Sequence, residues 1–439
     1  MSFVPHSSND IKTIFNILGI DSYDDLFKHI PKDLYINEEI SIEPAQSELE
    51  LIQYFNSVSE KNTQNLICFA GGGHYDTYLP HTVKSLTMRP EFMTSYTPYQ
   101  AEISQGVLQA LFEFQSMVAD LTEMELANAS LYDGATSVVE AVSMAIAKTK
   151  RNTVYISEGL NQRAVETLET IIDTDLITIN KLDYDDDYKH VSAAVDDNTA
   201  CVVFSLPTCH GSIQNFSEIN VLLKKLGIIS ICLVDPSILG VVESPGKMGF
   251  DVVVSEGQSI GSPLSFGGPT VGWFATKKEF ARLIPGRLIG ESVDTNNNKA
   301  YIMTLRAREQ DIRREKASSN ICTNQTLNAI GSAIHLSWLG PNGLKDMGNL
   351  SMQKAHYLKD KLAENFNLPL GDNFVREFIV DVDTRSPQDV IRKMSNKGFL
   401  AGIEVKKDAK EYLLVSVTEK RTKKELDAYA DALQEVVYV

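Results

Sequence analysis

The chain has 439 residues, 43% of them hydrophobic and 23% charged, with a formal net charge of −17. That length exceeds what one small core needs and points to two or three structural units, while no apolar run reaches the roughly 18 residues that span a bilayer. The acidic balance repels phosphate backbones and anionic lipid, so neither nucleic acid nor a membrane is expected as a partner. The opening MSFVPHSSNDIKTIF carries neither a basic, apolar leader nor an Arg-rich transit pattern, and a cytoplasmic location is the expectation. Cys68, Cys201, Cys209, Cys232 and Cys322 are scattered without a CxxC pair, a pattern of reduced core thiols and not of a disulfide frame or a zinc site.

In residues 9–30, Ile11, Ile14, Phe15 and Leu18 recur at helical spacing before Gly19, and Leu26, Phe27 and Ile30 prolong an apolar face. After Pro31 and Pro44 a short helix resumes at LELIQYF, so residues 1–65 read as a helical arm. Two long amphipathic helices follow, QGVLQALFEFQSMVADL and ATSVVEAVSMAIAK. The strand candidates TVYI, CVVFSL, IISICLV, DVVVS and TVGWFA alternate with helices such as RAVETLETII and EINVLLKKL. That alternation predicts an α/β domain over residues 66–335 with a mostly parallel sheet covered on both faces. Residues 336–439 read as a smaller α+β domain. It holds FVREFIVDV, a helix opened by Ser386 and Pro387, the strand EYLLVSV, and a last helix with a Thr422–Glu425 capping box. The acid-rich DYDDDYKH at 183–190 is expected to be a solvated loop.

Four segments have chemical potential, each with a plain alternative. Asp133, Gly134 and Thr136 open a helix whose free amides and dipole favour a phosphate, but simple N-capping explains them equally well. FAGGGHYD lacks the spacing of a nucleotide-binding loop and reads as a turn; His74 and His210 have no partner at metal-ligand spacing. Asp235 ends the strand ISICLV, and a second strand and glycine-rich turn follow with no lysine between Lys247 and Lys277. Enzymes that use pyridoxal phosphate (PLP) pair such an acid with a strand-end lysine, so the segment is either their frame without its anchor or, more simply, an ordinary buried strand and turn. Arg306, Arg308, Arg313, Arg314 and Lys316 form a basic patch, readable as a solvated helix face with Glu309, Asp311 and Glu315 as partners. Ser318, Ser319, Asn320 and Thr323 are short donors ahead of the next helix, an arrangement suited to a phosphate or carboxylate.

SYTPYQAEISQGVLQALFEFQSMVADLT, ANASLYDGATSVVEA, SEGQSIGSPLSFGGP, PGRLIGESVD and LRAREQDIRREKASSNICTNQ together resemble the first (α) subunits of bacterial glycine dehydrogenase (decarboxylating), the P-protein of the glycine cleavage system. The resemblance spans nearly the whole chain. It implies a type I PLP-enzyme fold and a two-subunit enzyme whose β subunit carries the PLP lysine, with two copies of each subunit. Gln258 or Ser259 then falls where that lysine would be. Gly159 stands where the family often has a ring-stacking histidine. Thr208, Cys209, His210 and Gly211 replace a segment with asparagine and two aromatics, and Thr77 replaces a frequent histidine.

The site on this chain, with Gly134, Thr136, Gly159 and Asp235, is therefore expected to be vestigial, with no catalytic residue in cis, no metal and no covalent PLP. Active sites of this fold lie between subunits, so the chain is expected to complete its partner's site. Ser319, Asn320 or Thr323 would reach the partner's PLP phosphate, Tyr96, Tyr99 and Glu102 would line a shared cleft, and the basic patch would attract the glycine carboxylate or the lipoylated H-protein. The implied reaction releases carbon dioxide from glycine and passes the aminomethyl group to the lipoyl arm of H-protein. Two alternatives stand beside it: an autonomous PLP enzyme anchored at Lys316, and a purely structural partner of the β subunit.

Overall fold

The computed structural model describes residues 5–36, 38, 40–62, 65–94, 96–182, 189–382 and 385–438, so the acidic stretch 183–188 lies outside the described residues. Two compact units emerge, residues 1–64 and 65–439. In the first, helices α1 (Ser8–Leu18) and α2 (Glu48–Ser59) each open with a capping box, Ser7 with Asp10 and Ser47 with Glu50. Gly19, at φ 67°, ends α1 in the left-handed region, so the apolar periodicity beyond it folds as a separate 3-10 turn, Tyr23–Phe27.

The second unit is built on a seven-stranded sheet. Its strands are β1 (Leu126–Ala127), β2 (Thr153–Ser157), β3 (Thr178–Leu182), β4 (Thr199–Leu206), β5 (Ile229–Val234), β6 (Val252–Glu256) and β7 (Gly272–Thr276), in the order β1-β7-β6-β5-β4-β2-β3. Only β7 runs against the rest. Because side chains alternate along a strand, each central strand supplies both faces. Val203 pairs with Ile231 and Ile231 with Val252 on one face, whereas Phe204, Cys232 and Val253 sit in register on the other. Helices α4 (Gly134–Thr149) and α5 (Gln162–Ile171) cover the first face; α3 (Gln105–Thr122), α6 (Ser217–Lys225) and the start of α7 (Thr326–Leu362) cover the second. Several strands escaped the sequence reading, the short β1 among them. Strand β3 reads TINKL and is a half-polar edge, and the hairpin β8 (Leu288–Val293) with β9 (Lys299–Thr304) lies outside the main sheet.

The kink of α7 at Gly340 and Pro341 leads to the C-terminal layer, where β10 (Glu377–Val380), β11 (Ile403–Lys407) and β12 (Lys410–Ser416) form an antiparallel sheet in the order β10-β12-β11. Helix α8 (Pro387–Ser395) starts on Ser386, and α9 (Lys423–Tyr438) starts on the expected Thr422–Glu425 box. The five cysteines are free: Cys201 and Cys232 are buried in the sheet, but Cys322 is exposed and is no core thiol.

Candidate functional site

The site lies where ligands collect in open α/β sheets, at the carboxyl ends of the parallel strands. Gly159 follows β2, Thr208 follows β4, Asp235 follows β5, and Glu256 closes β6.

Asp235 is fully engaged. Its carboxylate accepts from the Ser237 amide at 3.0 Å and hydroxyl at 2.8 Å, and forms an ion pair with Arg376, whose side chain is 2% exposed against 5% for Asp235. The Arg376 guanidinium lies over the Tyr75 ring, 3.3 Å from its centroid. The Tyr75 hydroxyl donates to Glu377 at 2.8 Å, and Glu377 also accepts from the Gly72 amide at 2.7 Å. Burial raises the Glu377 carboxyl and the Tyr75 phenol above their ordinary values. Burial opposes the Arg376 charge, but Asp235, Tyr75 and Glu377 outweigh it and keep the guanidinium protonated.

At the neighbouring strand end, Glu256 accepts from the Gly134 amide at 2.9 Å and from the Gln258 amide at 3.1 Å. A side chain at Gly134 would collide with the Glu256 backbone at 2.8 Å, which is why α4 can start so close to β6. Asp133 caps α4 by accepting from the Thr136 amide at 2.8 Å. Burial, helped by Asp133, pushes Glu256 up to about 7 against the pull of its hydrogen bonds. His74 lies 3.8 Å from Glu256 and 3.1 Å from Arg163, and burial followed by Arg163 pulls it down to about 4.

Gln258, one of the two residues expected where a lysine would be, serves as a backbone tie. It accepts from the Tyr75 amide at 2.8 Å and donates to the Tyr75 and Ser262 carbonyls. The Ser259 carbonyl accepts from Thr77 at 3.0 Å. The glycine run at 71–73 is thus more than a turn, since it packs on Glu377 and its Gly72 and Gly73 line both cavities of this rim. His210 is buried and bonded to the Lys406 carbonyl at 2.9 Å, a satisfied histidine. Gly159 is buried against Thr208, whose Cγ2 a Cβ would meet at 2.9 Å, so a larger side chain there requires Thr208 to move.

These residues do not fit PLP bound in cis. The two cavities at the rim measure about 70 and 40 Å³, room for a few waters at most. The acid that would face a pyridine nitrogen holds Arg376, and the helix amide that would face a phosphate holds Glu256. A wider groove of about 730 Å³ opens between residues 156–165 and 403–406, but neither Asp235 nor Gly134 lines it.

The other predicted residues gather elsewhere. Residues 306–316 are not one solvated helix: left-handed Leu305 and Arg314 break them into short 3-10 and α turns. Arg306 and Arg308 turn partly inward, Arg306 pairing with Asp311 at 2.9 Å and Arg308 donating to the Ile284 carbonyl. Arg313, Arg314 and Lys316 are exposed, and Lys316 lines neither rim cavity. Ser319, Asn320 and Thr323 precede α7 by three residues or more and do not cap it. Ser319 accepts from the Ile321 amide, Asn320 is exposed, and Thr323 accepts from Arg287 at 3.3 Å. The sequence reading overlooked Arg287, which also donates to Asn324 and to the Cys322 carbonyl, both at 2.8 Å. Tyr99 stands between Arg287 and Arg306, its ring 5.6 and 5.1 Å from their guanidinium carbons. Tyr96, Tyr99 and Glu102 are exposed.

This sheet order, with acids at the strand ends and a helix start beside them, defines a chain of the type I PLP-enzyme fold. Lactobacillus brevis glutamate decarboxylase shares that fold, at 13% identity, TM-score 0.70, and 92% and 95% coverage of the two chains. The family model for the glycine cleavage system P-protein matches residues 1–433, and the chain belongs to that family. It is 40% identical to a probable glycine dehydrogenase (decarboxylating) subunit 1 of Chloroherpeton thalassium, over 99% of this chain and 100% of the relative. It is 39% identical to the corresponding chain of Staphylococcus haemolyticus, over 97% of each. A crystal structure of glycine decarboxylase (P-protein) in inhibitor-bound form superposes with a TM-score of 0.90 at 34% identity, covering 99% of this chain and all of that one. Among the described residues no helix is long and apolar enough to cross a membrane.

Proposed function

We propose that this chain is the non-anchoring subunit of a two-subunit glycine decarboxylase and completes a cofactor site held by its partner, in an assembly with two copies of each. The observation that carries the reading is the rim itself: Gln258 is spent on the Tyr75 backbone, and Asp235 and the α4 amide are already satisfied by Arg376 and Glu256. PLP on the partner would supply the electron sink for loss of carbon dioxide from glycine, with the aminomethyl group passing to lipoylated H-protein. On this chain, Arg287 orders the Cys322–Asn324 segment, and Tyr99 with Arg306 presents an aromatic and cationic face beside it. Such a face suits an anionic group, a cofactor phosphate or the glycine carboxylate.

The test is intact mass after incubation with PLP and borohydride reduction, on this chain alone and copurified with its partner. An adduct confined to the partner is the expected result. A stoichiometric adduct mapped to one lysine of this chain, Lys316 included, overturns the reading.

A further inference from the structure

The acid at the end of β6 has no role in the proposed reaction, yet it is held with care. One Glu256 oxygen accepts from the first amide of α4, the other from the Gln258 amide, and the side chain is 12% exposed. Asp133 does not compete for that place, because its carboxylate is turned to the Thr136 amide and hydroxyl at 2.8 and 2.9 Å. Around Glu256 stand His74, Arg163, Asp133 and Thr270, the walls of a cavity of about 70 Å³. An arginine, a histidine and a helix start are what an anion would meet.

We infer that Glu256 closes this chain's own site to phosphate-bearing ligands, its carboxylate standing as an internal anion at the amide where a ligand's phosphate would dock. The inference shares one observation with the partner reading, Glu256 on the α4 amide, but concerns ligand binding to this chain alone. A second anion brought to Gly134 would face the Glu256 charge at contact distance, a repulsion that burial strengthens. Removing that charge leaves Arg163, His74 and the free amides facing a vacated place. Protonating it has the same effect in the native chain. Burial raises Glu256 to about 7, while His74, pulled to about 4, stays neutral through the same interval.

Sulfate is the suitable probe, since it is a dianion throughout that range. It is titrated calorimetrically into the full-length native chain and into Glu256→Ala at about pH 8 and about pH 5.5, on either side of the Glu256 transition. Glu256→Ala is expected to bind sulfate at least about tenfold more tightly than the native chain at the higher pH. The native chain is expected to gain affinity on acidification, and the variant to change little. Equal affinity of the two chains at the higher pH overturns the inference, as does an acid-induced gain of equal size in the variant. Should Glu256→Ala fail to fold, the native titration decides on its own: sulfate affinity that does not move between the two pH values, or crystals grown in sulfate at the lower pH with no ion at the Gly134 amide, overturns it.

Discussion

Arg376 and Asp235 form an ion pair inside the protein, their side chains 2% and 5% exposed, with the Tyr75 ring closing over the guanidinium. The pair joins the last residue before β10 to the first after β5, and so ties the small sheet to the rim of the large one. Two buried charges stabilise little beyond their own desolvation, but removing one leaves the other stranded. Arg376→Met is therefore expected to lower the unfolding free energy by about 3–5 kcal/mol, and Asp235→Asn by a similar amount. The double variant should lose much less than the sum of the two, since neither charge then lacks a partner. Chemical denaturation of the four proteins measures this; strictly additive losses would show that the two residues act independently.

That tie was only half legible in the sequence. Asp235 stood out because an acid ends the apolar run ISICLV, but its partner comes from FVREFIVDV in the smaller domain, a segment given no chemical role. The signal was present in FVREFIVDV, where two adjacent charged residues interrupt a run otherwise fit for burial. Central strands were readable because burial on both faces leaves continuous apolar runs, as in CVVFSL and DVVVS. Strand β3 was not, since an edge strand with alternating polar residues lacks that mark. Glu256 and Arg287 were in view within quoted segments, yet what each one faces depends on contacts 122 and 35 to 37 residues away, which periodicity does not carry.

The raised Glu256 predicts an unusual pH dependence. A carboxyl whose folded value is about 7 against an ordinary 4.5 contributes stability that is fully present below the lower value and lost as pH rises through the upper one. His74 and His335 act in the opposite sense. Both are pulled from 6.5 to about 4, so they stabilise the fold above the ordinary value and withdraw that support as pH falls toward 4. The native chain should thus show a shallow profile between these limits. Glu256→Gln should show stability rising with pH across it, the difference between the two proteins changing by up to roughly 3 kcal/mol. Urea denaturation at several pH values measures the difference, and parallel profiles would refute it.

Gly159 predicts a cost for introducing the histidine that the resemblance leads one to expect there. A Cβ at this buried position would meet Thr208 Cγ2 at 2.9 Å and Cβ at 3.1 Å, and the Thr208 hydroxyl is itself tied to the Ser212 amide at 3.1 Å. Overpacking of this kind costs about 1–3 kcal/mol, so Gly159→Ala should lower the melting temperature and Gly159→His should lower it further. Thr208→Ser removes the nearer methyl but keeps the hydroxyl, and should recover part of the loss in the Gly159→Ala background. A melting temperature unchanged by Gly159→Ala would mean that Thr208 yields freely.

Arg287 offers the sharpest division between a chain that completes a partner's site and one that merely supports it. Its guanidinium, 3% exposed, reaches the Cys322 carbonyl, Thr323 and Asn324 at once, which a lysine's single ammonium cannot reproduce. Asn324 in turn donates to the Ala129 carbonyl and to Ser130, so the loss should stay local to that segment. If the segment meets the partner's cofactor, Arg287→Lys should lower glycine turnover of the assembled complex by about tenfold or more, a misplacement effect, while the complex still forms. Tyr99→Leu removes the ring between Arg287 and Arg306 without touching those hydrogen bonds, and should act mainly through the KM for glycine. The measurement is steady-state decarboxylation with assembly checked by sedimentation. Two variants that assemble fully and turn over at the native rate would leave this chain as a support, with the chemistry and the recognition of glycine entirely in its partner.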